Sequence, residues 1–133
     1  RHDRHAEATR RAVRAWGMEV LCANPAEYSS SLTAVVMPKD ANGKHCSADA
    51  YRKVVLEKFN MSLGTGLGRL AGWVFRIGHL GDFNDLALAG TLAGVEMGFA
   101  AAGVPHQKGG AQAAIDYLAQ CATAPAAAER KAA

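Results

Sequence analysis

Arg76 is the residue of this chain best suited to chemistry. It stands in Phe75-Arg76-Ile77-Gly78-His79-Leu80-Gly81-Asp82-Phe83-Asn84-Asp85, an apolar run that passes into a glycine-rich turn. A guanidinium grips a carboxylate through two parallel hydrogen bonds and keeps its charge at any working pH. At a strand end, beside glycines that let a ligand approach the backbone, it could hold a small acid. The plain alternative is an arginine paired with Asp82 or Asp85. His79, in the same turn, reads either as a hydrogen-bonded structural histidine or as a polar contact with a substrate or a partner domain. The loop Gly64-Thr65-Gly66-Leu67-Gly68 has the form GxGxG. It lacks the Lys-Ser/Thr of a P-loop, and Gly72 interrupts any helix that could follow, so a turn shaping the edge of a cleft is the better reading. Gly66 and His79 are the candidate walls of such a cleft.

No reaction engine accompanies this grip. Lys108, beside Gly109-Gly110, has nothing around it to bury it and lower its pKa, and reads as an exposed loop lysine. His2 with His5, and His45 with Cys46, lack the further ligands a metal site needs. No Ser/His/Asp or Cys/His set and no pair of carboxylates can be assembled, so no catalytic, cofactor-binding or metal-ligating residue is assigned.

The elements that must position Arg76 follow from periodicity and punctuation. Residues 4–16 read as a helix with Ala8, Ala12, Val13 and Trp16 on its apolar side and Gly17 past its end. Met18–Cys22 and Leu32–Met37 read as strands, joined through Asn24-Pro25 and a serine loop. Ser47 is the expected N-cap of a helix that carries Tyr51, Val54, Val55 and Phe59 and ends at Asn60 in a left-handed conformation. Met61–Leu63 is a candidate short strand and Trp73–Ile77 a firm one. Asp82 is the expected cap of a long helix stopped by Gly103 and Pro105, in which Gly90, Gly94 and Gly98 line one face for close approach. A last helix runs over about Gln112–Cys121. The short link between the first two strands favours an antiparallel pair. The expected fold is α+β, with a small, mostly antiparallel sheet of three to four strands covered by helices, in one domain over residues 1–121. Residues 122–133 read as a mobile, alanine-rich tail.

Composition narrows the function classes. The chain has 133 residues, half of them hydrophobic, which is enough for one core; aromatics are 7%, so small side chains should dominate it. The formal net charge is +3. Arg1, Arg4, Arg10, Arg11 and Arg14 supply much of it, and Glu7 can pair with Arg10 and Arg11, so a solvated helix face is favoured over nucleic-acid binding. Cys22, Cys46 and Cys121 form no CxxC, which points to a reducing compartment. Leu86–Val104 is almost uncharged but contains Glu96, and reads as a buried helix rather than a membrane span. The opening Arg1-His2-Asp3-Arg4 reads as the middle of a protein. The ending Arg130-Lys131-Ala132-Ala133 is not a peroxisomal address, which leaves the cytoplasm as the default.

Met61-Ser62-Leu63-Gly64-Thr65-Gly66-Leu67-Gly68 and Gly72-Trp73-Val74-Phe75-Arg76-Ile77-Gly78-His79-Leu80-Gly81-Asp82-Phe83-Asn84-Asp85 together resemble the C-terminal domain of serine–glyoxylate aminotransferases, a branch of the class V pyridoxal-phosphate enzymes. The resemblance continues through Ala93–Gly98, Gly103-Val104-Pro105, Lys108-Gly109-Gly110 and Ala113–Leu118, and includes the opening helix from Ala6 to Gly17. It implies the C-terminal domain fold of fold-type I enzymes. It also implies that Arg76, as the arginine of the Arg-Ile-Gly motif, binds the α-carboxylate of an amino-acid or 2-oxo-acid substrate. The cofactor pyridoxal 5'-phosphate, its lysine and most of its phosphate contacts would belong to a larger preceding domain. The working unit would be a homodimer, without nucleic acid or membrane, and this piece alone would be inactive. The alternative is a stand-alone α+β domain that binds a small carboxylate.

Overall fold

The computed structural model describes residues 1–124. Helix α1 spans His2–Ala15, strand β1 Glu19–Val20, β2 Leu32–Val36, helix α2 Ala48–Phe59, β3 Gly64–Thr65, β4 Val74–Gly78, helix α3 Asp85–Ala102 and helix α4 Gly110–Thr123. Single 3-10 turns lie at Pro25–Glu27 and Gly68–Leu70. The four strands form one antiparallel sheet in the order β1-β2-β4-β3. The fold is α+β, as the element order implies.

Alternation along the strands sorts the sheet into two unlike faces. Val35, Phe75 and Ile77 point into a core shared with all four helices. Alanine and valine make up much of the buried set, as expected, and four aromatic rings meet within it. Tyr51 lies 5.0 Å from Phe75 and 4.8 Å from Phe99, and Trp16 lies 5.2 Å from Phe99, between ring centroids. Each of these four buries a large apolar surface there. Glycines also act where α3 is approached closely. A Cβ on Gly98 would lie 2.4 Å from Val55 Cγ2, and one on Gly94 would lie 3.1 Å from Met61 Cε, whereas Gly90 faces open space.

Ser47 caps α2, its hydroxyl accepting from the Ala50 N–H, and Asn60 ends it at φ 51°. The cap of α3 is Asn84 rather than Asp82: its side chain accepts from the Ala87 N–H, which puts Asp85 in the first turn. There Asp85 accepts from Arg4 Nη2 at 2.8 Å and pairs with His5 Nε2 at 2.6 Å, fastening the start of α3 to the start of α1. Helix α4 continues through Thr123, two residues past its expected end. The rest of the expected mobile tail, residues 125–133, lies outside the described residues.

Helix α3 has the length and composition of a membrane span, with mean hydropathy 1.2 over 18 residues, of which 28% are buried. Leu88, Leu92, Val95, Gly98 and Phe99 face the core, while Leu86 and Met97 are exposed. It is therefore buried along one side and not all round.

Candidate functional site

Arg76 lies in the middle of β4, not at its end. It is paired on one side with Ala34 of β2 and on the other with Gly64 of β3. Being out of phase with Phe75 and Ile77, its side chain stands on the face away from the helices. The strand positions of that face are Glu19, Leu32, Ala34, Val36, Gly64, Val74, Arg76 and Gly78. Arg76 is the one cation among them. Glu19, the one acid, sits in the row of Val36 and Val74 at the far edge of the sheet.

The arginine forms no ion pair among the described residues; Asp85 is engaged by Arg4 and His5 instead. Its Nε is shielded from solvent and has no hydrogen-bond partner among the described residues. A buried donor left unmade is costly, about 1–3 kcal/mol. A carboxylate oxygen that reached it would relieve that cost.

Gly66 lies on the same side of β4 as Arg76, one row away. Its N–H donates to Val74 O at 3.0 Å. A Cβ here would lie 2.2 Å from Leu70 O and 3.0 Å from Val74 O, so the backbone itself excludes any side chain. His79 goes to the other face. Its N–H donates to Ser31 O, its ring is fully buried, and Nε2 lies 2.9 Å from Thr33 Oγ1. Burial pushes its pKa down to about 4. The structure thus brings Gly66 and Arg76 together and separates His79 from them, giving that histidine a structural bond to β2.

Two further features escaped the sequence reading. Gly64, directly opposite Arg76, belongs to β3, which forms three residues later than the expected strand at Met61–Leu63. The only signal for it was the glycine itself, since register across a sheet is not written in local pattern. Glu96 is the second. Its carboxylate accepts from Trp16 Nε1 at 2.9 Å, Gly109 N at 2.6 Å and Ala111 N at 2.8 Å. Burial opposes its charge, but these three donors outweigh it and hold the carboxyl below its ordinary pKa. Glu96 closes the N-terminus of α4 and is fully engaged in doing so.

The N-terminal arginines are likewise engaged. Glu7 pairs with Arg10 at 3.2 Å and with Arg11 at 3.0 Å, and the guanidinium groups of Arg10 and Arg11 cover the rings of Tyr28 and Tyr117.

No protein-family model matches the chain. Relatives do. It is 44% identical over 119 residues to a serine–glyoxylate aminotransferase of Arabidopsis thaliana, covering 89% of this chain and 28% of the relative. It is 40% identical over 134 residues to an L-aspartate–glyoxylate aminotransferase of Paracoccus denitrificans, covering all of this chain and 32% of the relative. Among solved structures, the pyridoxamine–pyruvate aminotransferase of Mesorhizobium loti superposes with a TM-score of 0.78 at 27% identity, over 90% of this chain and 30% of that one. The chain therefore spans about 30% of the length of these three proteins.

Proposed function

Because the chain is a C-terminal (small) domain of the class V aminotransferases, in the serine–glyoxylate branch, we propose that it supplies the substrate-carboxylate grip of a pyridoxal-phosphate transaminase. The reaction would move the amino group of serine to glyoxylate, giving hydroxypyruvate and glycine. The observation that carries this reading is Arg76: a guanidinium on the sheet face away from the helices, without an ion pair and with a buried, unsatisfied Nε–H among the described residues.

The residues present fit a share of such a site. Pyridoxal phosphate, when bound, is the electron sink that makes amino transfer possible. Strands β2, β3 and β4 carry no lysine, and their one cation suits the substrate's acid rather than the cofactor's anchoring. The cofactor lysine and most phosphate contacts are assigned to the larger preceding part of the protein. Arg76 would clasp the α-carboxylate, and so fix the substrate Cα–H bond relative to the groups that act on it; positioning of this kind can lower a barrier by several kcal/mol. Gly66 would form the adjoining wall, where no side chain can intrude. The whole enzyme would be a cytoplasmic homodimer, and this chain alone inactive.

The test joins the chain to the rest of its coding sequence. The full-length protein should transfer an amino group to glyoxylate from serine, while the chain alone should not. The chain alone should also bind glyoxylate no more tightly than about 1 mM, because one charge-assisted grip contributes roughly 1.5–3 kcal/mol. Submillimolar binding by the isolated chain, with no amino transfer by the full-length protein, would favour a stand-alone carboxylate-binding domain.

A further inference from the structure

Gly64 stands directly across from Arg76 in the β3–β4 register. A Cβ added there would lie 3.0 Å from Arg76 Cβ, 3.2 Å from its Nε and 3.4 Å from its carbonyl oxygen. Opposed residues in antiparallel strands normally keep their Cβ atoms about 4.5–5.5 Å apart. The arginine side chain therefore lies across β3, through the space that any residue other than glycine would fill.

Nothing else asks for glycine at this position. Gly68 and Gly72 have φ of +56° and +85°, which favour glycine for backbone reasons. Gly64 is not among the positive-φ residues. Gly66 is fixed by backbone atoms of Leu70 and Val74, whereas the three nearest atoms to a Cβ on Gly64 all belong to Arg76. The strand is an edge strand of two residues, so there is also no neighbour beyond it to satisfy.

We infer that Gly64 is a positioning residue: its missing side chain lets Arg76 lie flat across β3 and so sets the direction in which the guanidinium presents its donors to a substrate carboxylate. The inference rests on the reading of Arg76 as that grip. A fork aligned with two carboxylate oxygens tolerates little rotation. A methyl group on Gly64 would lift Nε from its bed and turn the fork.

Four forms of the full-length enzyme test this: unmodified, Gly64→Ala, Arg76→Lys and the double variant. Gly64→Ala should raise KM for glyoxylate and for the amino donor about 10- to 100-fold, with a smaller fall in kcat and unchanged cofactor affinity. In the Arg76→Lys background the same alanine should cost nothing further, because the fork it misdirects is already gone. An alanine without effect, or with the same factor in both backgrounds, would overturn the role of Gly64 and leave that of Arg76 standing. Unchanged kinetics in Arg76→Lys would overturn both. Should the alanine variants not fold, the unmodified chain still decides. Nuclear Overhauser contacts between Gly64 Hα and the Arg76 Hδ and Hε protons are expected, and their absence would refute the arrangement.

Discussion

Arg4, Arg10, Arg11, Arg14 and Arg52 each place a guanidinium nitrogen within 3.8 Å of a carboxylate oxygen. Arg76 does not, and among the described residues Arg1 and Arg69 do not either; what sets Arg76 apart is a solvent-shielded Nε without a partner on a side chain that has no ion pair. The motif itself was visible in the sequence, as were the chemistry of a guanidinium and the glycines around it. The side of the sheet was not, because facing depends on which neighbours a strand acquires. His79 shows the same limit. Three positions from Arg76, it has opposite surroundings: its ring is buried and bonded to Thr33. Its folded pKa, pushed down to about 4 by burial, lies below the ordinary value of 6.5. As pH falls below 6.5 the unfolded chain takes up a proton that the folded chain refuses, so stability should decline between pH 6.5 and about 4. The contribution is fully present above that window. Replacing His79 by asparagine should flatten this part of the stability–pH curve in denaturant titrations; an unchanged slope would mean that the ring does not titrate as its burial implies.

At the scale of elements, periodicity and caps were legible and pairing was not. The apolar stripe of α1, the Ser47 cap and the left-handed Asn60 are local features, decided by residues next to one another in sequence. Strand β3 was misplaced because Met61-Ser62-Leu63 has more strand character than Gly64-Thr65. Yet the latter pair lies beside Phe75 and Arg76, and Gly64 leaves room for the arginine. Glu96 illustrates the same point in a helix. In sequence it is a lone charge in an apolar run; in the fold it joins α1, α3 and the start of α4. Glu96→Ala would leave the Trp16 Nε1–H and the N–H groups of Gly109 and Ala111 without their acceptor. We expect a loss of about 2–4 kcal/mol in chemical denaturation, far above the cost of an exposed glutamate. With its folded pKa held below the ordinary 4.5, its contribution should be complete above pH 4.5 and vanish as pH falls through the lowered value. A variant as stable as the parent would show that the three hydrogen bonds do not hold α4.

Among the described residues, one sheet face packs into the core shared with the helices and the other faces away from them, with a cation in the middle of the latter. The relatives are about three times as long as the matched segment, and under the proposal such additional length would complete the site. Class and architecture were legible from element order, since short links dictate antiparallel neighbours and amphipathic helices must cover a sheet. The one-sided burial of α3 was not, because its apolar residues run all round it and only packing decides which of them meet the core.

The most direct measurement is steady-state kinetics of the full-length Arg76→Lys variant with serine and glyoxylate, together with cofactor binding by absorbance. A lysine keeps the charge but loses the planar fork. The kcat/KM should fall by about 10- to 150-fold, the equivalent of the roughly 1.5–3 kcal/mol of one charge-assisted hydrogen bond, while cofactor affinity stays unchanged. A variant with parental kcat/KM, or one that loses the cofactor instead, would contradict it.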